Sequence, residues 1–287
     1  DNTFQYPPEE KTAERQIFRS AVCSANQPKF RRKAAFVSAK AVIVKMSAIF
    51  KRDLRSYFTT PVGYVYMAIF LAVNGGAFSM FTIQEGSDSK VASYFTTMIF
   101  ALIVLIPLLT MKTFSEEKKL KTEQLLMTSP VSLGGMVLGK FLAAYTVFAG
   151  TFVIGCLNFT ALFKYGPKNY AGTASEYNGA ILLGSTIAVL LIGAAFVAIG
   201  VFISSMTENQ VISAIGTMAV MGLFLVIGLL NSYIPFAPVR TALSWLSIYS
   251  RFANFTYGVF DFNAVLYYFS ICFVFLFLTV RVYEKRR

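Results

Sequence analysis

Charged residues leave long apolar intervals along this chain. No Asp, Glu, Lys or Arg stands between Arg55 and Glu85, Lys90 and Lys112, or Lys140 and Lys164. The same holds between Glu176 and Glu208, Glu208 and Arg240, and Asp261 and Arg281. A helix needs about 20 predominantly apolar residues to cross the hydrocarbon of a bilayer. The intervals therefore predict six spans, at about 61–83, 94–112, 140–163, 180–204, 209–231 and 263–281. The expected fold class is all-α, a polytopic membrane protein with six transmembrane helices.

The segments between the spans carry their own patterns. Over 47–58, Phe50, Leu54, Tyr57 and Phe58 share one helical face, and Lys51, Arg52, Arg55 and Ser56 the other. That predicts an N-terminal interfacial helix, reset by Pro61 before the first span. The segment 112–139 holds "SEEKKLKTEQLLMTSP", a charged hairpin whose Leu120, Leu125 and Leu126 suit either solvent or a groove on another protein. The segment 232–262 interleaves Trp245, Tyr249, Phe252, Phe255, Tyr257 and Phe260 with small polar residues. Such aromatics favour the headgroup layer, and two short helices dipping back in as a re-entrant hairpin would fit. In the fourth span Thr186, Gly193 and Gly200 recur every seven residues, a small-residue face for close helix contact.

Residues 1–45 differ from the rest, being polar and then basic, and Met46 reads as a natural start. They are expected to be a cytoplasmic extension or carried-over upstream sequence, with 46–287 forming the six-helix membrane domain.

Composition agrees with the pattern. Of 287 residues 56% are hydrophobic and only 14% charged, against about 25% charged in soluble domains, and mean hydropathy is +0.60. The net charge of +12 is distributed unevenly. One set of loops holds Lys51, Arg52, Arg55, Lys112, Lys118, Lys119, Lys121, Lys140 and the C-terminal cluster from Arg281; the other holds Lys90, Lys164, Lys168, Arg240 and Arg251. Positive residues gather on the cytoplasmic side, so both termini are expected there. No basic stripe with stacking residues lies outside the membrane edges, which argues against nucleic acid as a partner. Histidine is absent, and Cys23, Cys156 and Cys272 have no metal or redox spacing, so no metal or cofactor is expected in this chain.

"GGMVLGKF" at 134–141 nearly spells a phosphate-binding loop. The loop needs a Ser or Thr after the Lys to ligate magnesium, and a strand before it. Position 141 is Phe, and the upstream stretch is charged and interrupted by Pro130. The expectation is an approach to a membrane helix, with Lys140 at the headgroups. "NFT" at 158–160 and 254–256 matches the glycan acceptor pattern; the first lies within a span, and both read as chance. The predicted spans carry no charge through their middles, whereas ion-coupled carriers keep a titrating group there. No nucleophile, base or metal set assembles for an enzyme. A passive pathway, a scaffold, or a transport subunit powered from elsewhere remains.

Three strings then resemble type-2 ABC exporter permeases, in the branch holding gliding-motility permeases and the nitrous-oxide-reductase maturation permease. They are "FSEEKKLKTEQLLMTSPVS" at 114–132 with "GK" at 139–140, "SSMTENQVISA" at 204–214, and "LSIYSRFANFTYGVFD" at 246–261; "FLFLTVRVYEKRR" also fits. The resemblance implies a multi-pass protein of the bacterial cell membrane that pairs with a second permease chain, as homo- or heterodimer. It implies a separate ABC ATPase subunit carrying ATP and magnesium, and an auxiliary membrane protein with a large external domain. The hairpin after the second span would be the coupling helix, so Glu116, Glu117, Lys118, Lys119, Thr122, Glu123 and Pro130 map onto the ATPase contact. The interfacial helix, with Phe50, Lys51, Arg52, Leu54 and Arg55, would lie beside it. An ATP-independent channel or facilitator, or a scaffold for an external-domain partner, is the alternative.

Overall fold

The computed structural model describes residues 46–83, 88–121, 133–160, 179–230, 247–256 and 260–286. Every element among them is helical, and six helices are long and apolar enough to cross a membrane. In chain order, α1 covers 46–59, α2 Pro61–Phe78, α3 Asp88–Thr110 and α4 Lys112–Lys119. Then come α5 Leu133–Cys156, α6 Gly179–Met206, α7 Gln210–Leu230, α8 Ile248–Thr256 and α9 Phe262–Arg286. The six expected spans correspond to α2, α3, α5, α6, α7 and α9.

Local chemistry sets the boundaries. Pro61 opens α2, where its missing N–H costs nothing. A π-helical turn, Ser79–Ile83, continues that helix. Met111 between α3 and α4 keeps right-handed helical angles, so the second span runs on as Val91–Lys119. It ends where Lys121 turns to φ 56, a left-handed stop in a residue other than glycine. The turn between α6 and α7 is short, and Asn209 Oδ1 accepts the Val211 N–H at 2.9 Å to cap α7.

Three spans overrun the boundaries expected from charge, α9 among them, which continues past Arg281 to Arg286. α3 with α4 continues past Lys112, and α5 begins at Leu133, seven residues before Lys140. The α-helical hydrogen-bond ladder is indifferent to side-chain charge, so a Lys can open an apolar interval without opening the helix.

α6 is the axis of the bundle, with α9, α3, α7, α8, α5 and α4 all packed on it. Its small-residue face serves these neighbours. A Cβ on Gly193 would lie 2.1 Å from the Phe148 ring of α5, and one on Gly200 would lie 2.2 Å from Thr110 Oγ1 of α3. At the end of the bundle reached by α8, Phe159 stacks on Phe95 and meets Phe78 and Tyr94 edge-on.

The segment expected as an interfacial helix forms α1. Ile49 and Tyr57 are buried and Phe50, Asp53 and Leu54 half-buried, whereas Phe58 is 48% exposed. The packed face is rotated towards Asp53, because the group opposite it is a cation. α8 forms within the expected re-entrant segment and buries Ile248, Phe252 and Phe255. Trp245 and Tyr257 lie outside the described residues.

Candidate functional site

At the end of the bundle carrying α1 and α4, the side chain of Lys140 is only 3% exposed. Burying an ammonium is costly unless it is paired and hydrogen-bonded. Its Nζ lies 2.9 Å from Glu117 Oε1 on α4 and 3.2 Å from Asp53 Oδ2 on α1. It donates to the Thr113 carbonyl at 2.9 Å and stands 5.0 Å from the Phe114 ring centroid. Arg52 closes the group, its Nη2 2.8 Å from Glu117 Oε1 and its Nε 2.9 Å from Asp53 Oδ1. Two cations and two carboxylates thus balance, and they tie α1, α4 and α5 at one point.

The near-match to a phosphate loop now has a structural account. A Cβ at Gly139 would stand 3.2 Å from the Met46 carbonyl and 3.3 Å from Ile49 Cγ2. Glycine there lets α1 lie close on α5, which brings Asp53 within reach of the next residue, Lys140. The expectation that Lys140 sits at the headgroups is corrected, since its side chain points into the protein.

The opposite face of α4 is fixed to α6. Met111 offers no side-chain cap, so the first N–H groups of α4 need acceptors from elsewhere. Ser204 Oγ accepts the Phe114 N–H at 3.1 Å and the Ser115 N–H at 3.2 Å, a cap supplied by another helix. Ser115 Oγ donates to the Ser204 carbonyl at 3.3 Å. Lys118, 6% exposed, donates to the Ser205 carbonyl and lies 5.9 Å from the Tyr283 ring of α9. Phe114 and Tyr283 pack with centroids 5.1 Å apart. One eight-residue helix is therefore bolted to α1, α5, α6 and α9.

Tyr57 anchors α1 to the second span. Its hydroxyl donates to the Leu109 carbonyl at 3.2 Å and lies 3.4 Å from Thr113 Oγ1. Burial pushes this phenol up to about 12; the Thr113 hydrogen bond pulls the other way, and the Asp53 and Glu116 carboxylates add to the rise. For Arg52, burial works to lower the pKa, but Asp53 and then Glu117 outweigh it and hold the guanidinium above its ordinary value. A cleft of about 260 Å³ lies over the junction, lined by Asp53, Tyr57, Thr113, Glu117 and Lys140 among others.

The expected coupling residues separate by environment. Glu116 is partly exposed and 3.8 Å from Lys112; Lys119 is exposed, as is Leu120 at 65%. Glu117 and Lys118 turn inward to α5 and α6. Thr122, Glu123 and Pro130 lie outside the described residues. In α1, Arg52 joins the ion cluster, Phe50 and Leu54 pack, and Lys51 and Arg55 face outward. Sequence reasoning missed Asp53, Thr113, Ser204, Ser205 and Tyr283. The lone carboxylate between Arg52 and Arg55, and the Ser-Ser pair ending a charge-free interval, were the available signals. Among the described residues no three His, Cys, Asp or Glu side chains cluster to hold a metal ion.

A family model described as ABC-2 family transporter protein matches residues 31–287. No curated protein matches the chain.

Proposed function

The chain belongs to the ABC-2 family of transporter proteins, and on that premise we propose that it is a permease subunit moved by ATP hydrolysis in a separate ABC ATPase. The charged end of the bundle is cytoplasmic in this reading, following the distribution of Lys and Arg. The ATPase docks on the segment that leaves α4, meeting Glu116, Lys119 and Leu120 and then the stretch through Thr122, Glu123 and Pro130. ATP and magnesium belong to that partner. A second permease chain completes the pathway, and the gliding-motility type of system, with an auxiliary external-domain protein, is the branch the sequence strings favour. Export or mechanical signalling across the membrane is the output.

The buried Lys140 that grips Asp53 of α1 and Glu117 of α4 carries this reading. A push on the end of α4 cannot stay local, because its other contacts run to α6 and α9. Displacement of α4 would move α1, α5, α6 and α9 together, as packed elements shift as rigid bodies. Glu117 and Lys118 then act by positioning, and the exposed residues that follow them act by contact.

The test uses the chain together with its ABC ATPase. Glu117→Lys puts a third cation against Lys140 and Arg52, and Glu123→Lys reverses a charge on the docking segment. Both variants should lose permease-dependent ATP hydrolysis. Unchanged assembly and unchanged hydrolysis in both would contradict the proposal.

A further inference from the structure

The outward face of α1 carries two cations that the Lys140 junction does not use. Lys51, Arg55 and Phe58 are exposed, and their spacing of four and then three residues puts them on one helical face. Ile49 and Tyr57, which pack on the bundle, lie on the other side of the helix. Asp53, the carboxylate of this helix, is taken by Arg52 and Lys140. Among the described residues neither Lys51 nor Arg55 makes an ion pair.

The chain fixes the depth of that face. Only Thr60 separates α1 from Pro61, where the first span begins. The elbow between them is tight. The Thr60 N–H donates to the Ser56 carbonyl at 2.9 Å, and the Gly63 N–H to the Thr60 carbonyl at 3.2 Å. A Cβ at Gly63 would overlap the Tyr57 carbonyl oxygen, so glycine there lets the first turn of α2 close on α1. A span ends where hydrocarbon gives way to headgroups. Phe58, and Arg55 about one turn further back, are thereby held at headgroup level. At that depth a side chain turned away from the bundle meets lipid, with acyl chains in reach of an aromatic ring.

We infer that the Lys51–Arg55–Phe58 face binds anionic phospholipid, the two cations holding headgroup phosphates and the Phe58 ring lying at the edge of the acyl chains. The apolar side of α1 is occupied by the bundle, so the side left for lipid is the basic one with its single aromatic. A zwitterionic lipid also has a phosphate, but only an anionic lipid brings a net negative charge for these cations to neutralise. Each Lys or Arg near such a surface adds to the attraction. The inference shares with the proposed function only the placing of the spans in a membrane. It needs no ATPase, so its failure leaves the coupling mechanism standing.

A Phe58→Trp variant reconstituted in bilayers tests it, with the emission of the unaltered chain subtracted to remove Trp245. Two equimolar mixtures of phosphatidylglycerol and phosphatidylcholine are compared, with the acyl chains of one lipid brominated in each. The added indole should be quenched more strongly when phosphatidylglycerol carries the bromine. Adding Lys51→Gln or Arg55→Gln should lower that preference, by about fivefold at most, the worth of one cation at an anionic surface. Arg55→Lys, which keeps the charge, should preserve it. Equal quenching by the two lipids would overturn the inference, as would a preference that survives the loss of both cations. Quenching by aqueous iodide in place of brominated lipid would also overturn it, since the face would then belong to water, or to the ABC ATPase if adding that subunit shields the indole.

Discussion

Lys140 shows at the scale of one residue why this junction holds. Its charge is sustained by Glu117 at 2.9 Å and Asp53 at 3.2 Å, both largely buried. Removing one partner of a buried ionic group leaves the others uncompensated, at about 3–5 kcal/mol. Lys140→Met should therefore lower the thermal stability of the purified chain by that order, since two carboxylates then face each other across Arg52 alone. Asp53→Asn should cost less, because Lys140 keeps Glu117 and the Thr113 carbonyl. A melting temperature unchanged in Lys140→Met would show that the ion cluster does not form. Tyr57 gives a prediction in pH. Its phenol is raised from 10.0 to about 12 chiefly by burial, so folding favours the neutral form. The stability it contributes is complete below pH 10, where the unfolded phenol is also neutral, and is lost as pH rises towards 12. The difference in unfolding midpoint between the chain and Tyr57→Phe should thus be constant up to pH 10 and shrink above it. A constant difference throughout would mean that Tyr57 is solvated.

Between elements, α4 is the part on which the others converge. Ser115 Oγ and Ser204 Oγ lie 3.2 Å apart across α4 and α6, which makes the two positions the natural pair for a cysteine cross-link. Ser115→Cys/Ser204→Cys should cross-link under oxidation, and the locked chain should still support ATPase-dependent hydrolysis, because α4 and α6 move as one piece. Loss of hydrolysis on locking would mean that the two slide past each other instead. How far such elements were legible in the sequence follows from what sets them. The six spans could be read because burial in hydrocarbon demands length and absence of charge, both visible along the chain. The ends of α3, α4 and α5 could not, because helical backbone angles run on through Met111 and through Lys140 whatever the charge of the lysines there. The protein-packed face of α1 was only partly legible for a related reason. Apolar spacing marks where a helix prefers to bury, but the position of Asp53 is decided by a lysine 87 residues away.

Across the whole molecule, the charged end and the α8 end are joined by helices whose middles are apolar and neutral. The transporter family could be anticipated from three strings that the structure spreads over α4, the α6–α7 turn and α8. The ion cluster could not, because its members come from three separate stretches and only folding brings them together. Lys140 was visible in the sequence, but its role was hidden by the resemblance of "GGMVLGKF" to a nucleotide loop and then by its place at the edge of a span. In the proposed mechanism energy release belongs to a partner and its transmission to the α1–α4–α5 junction. The most direct test is ATP turnover measured on the isolated chain and on the chain joined to its ATPase, in the same bilayer. No turnover is expected from the chain alone, and sustained turnover from the pair. Hydrolysis by the chain in the absence of any partner would contradict it.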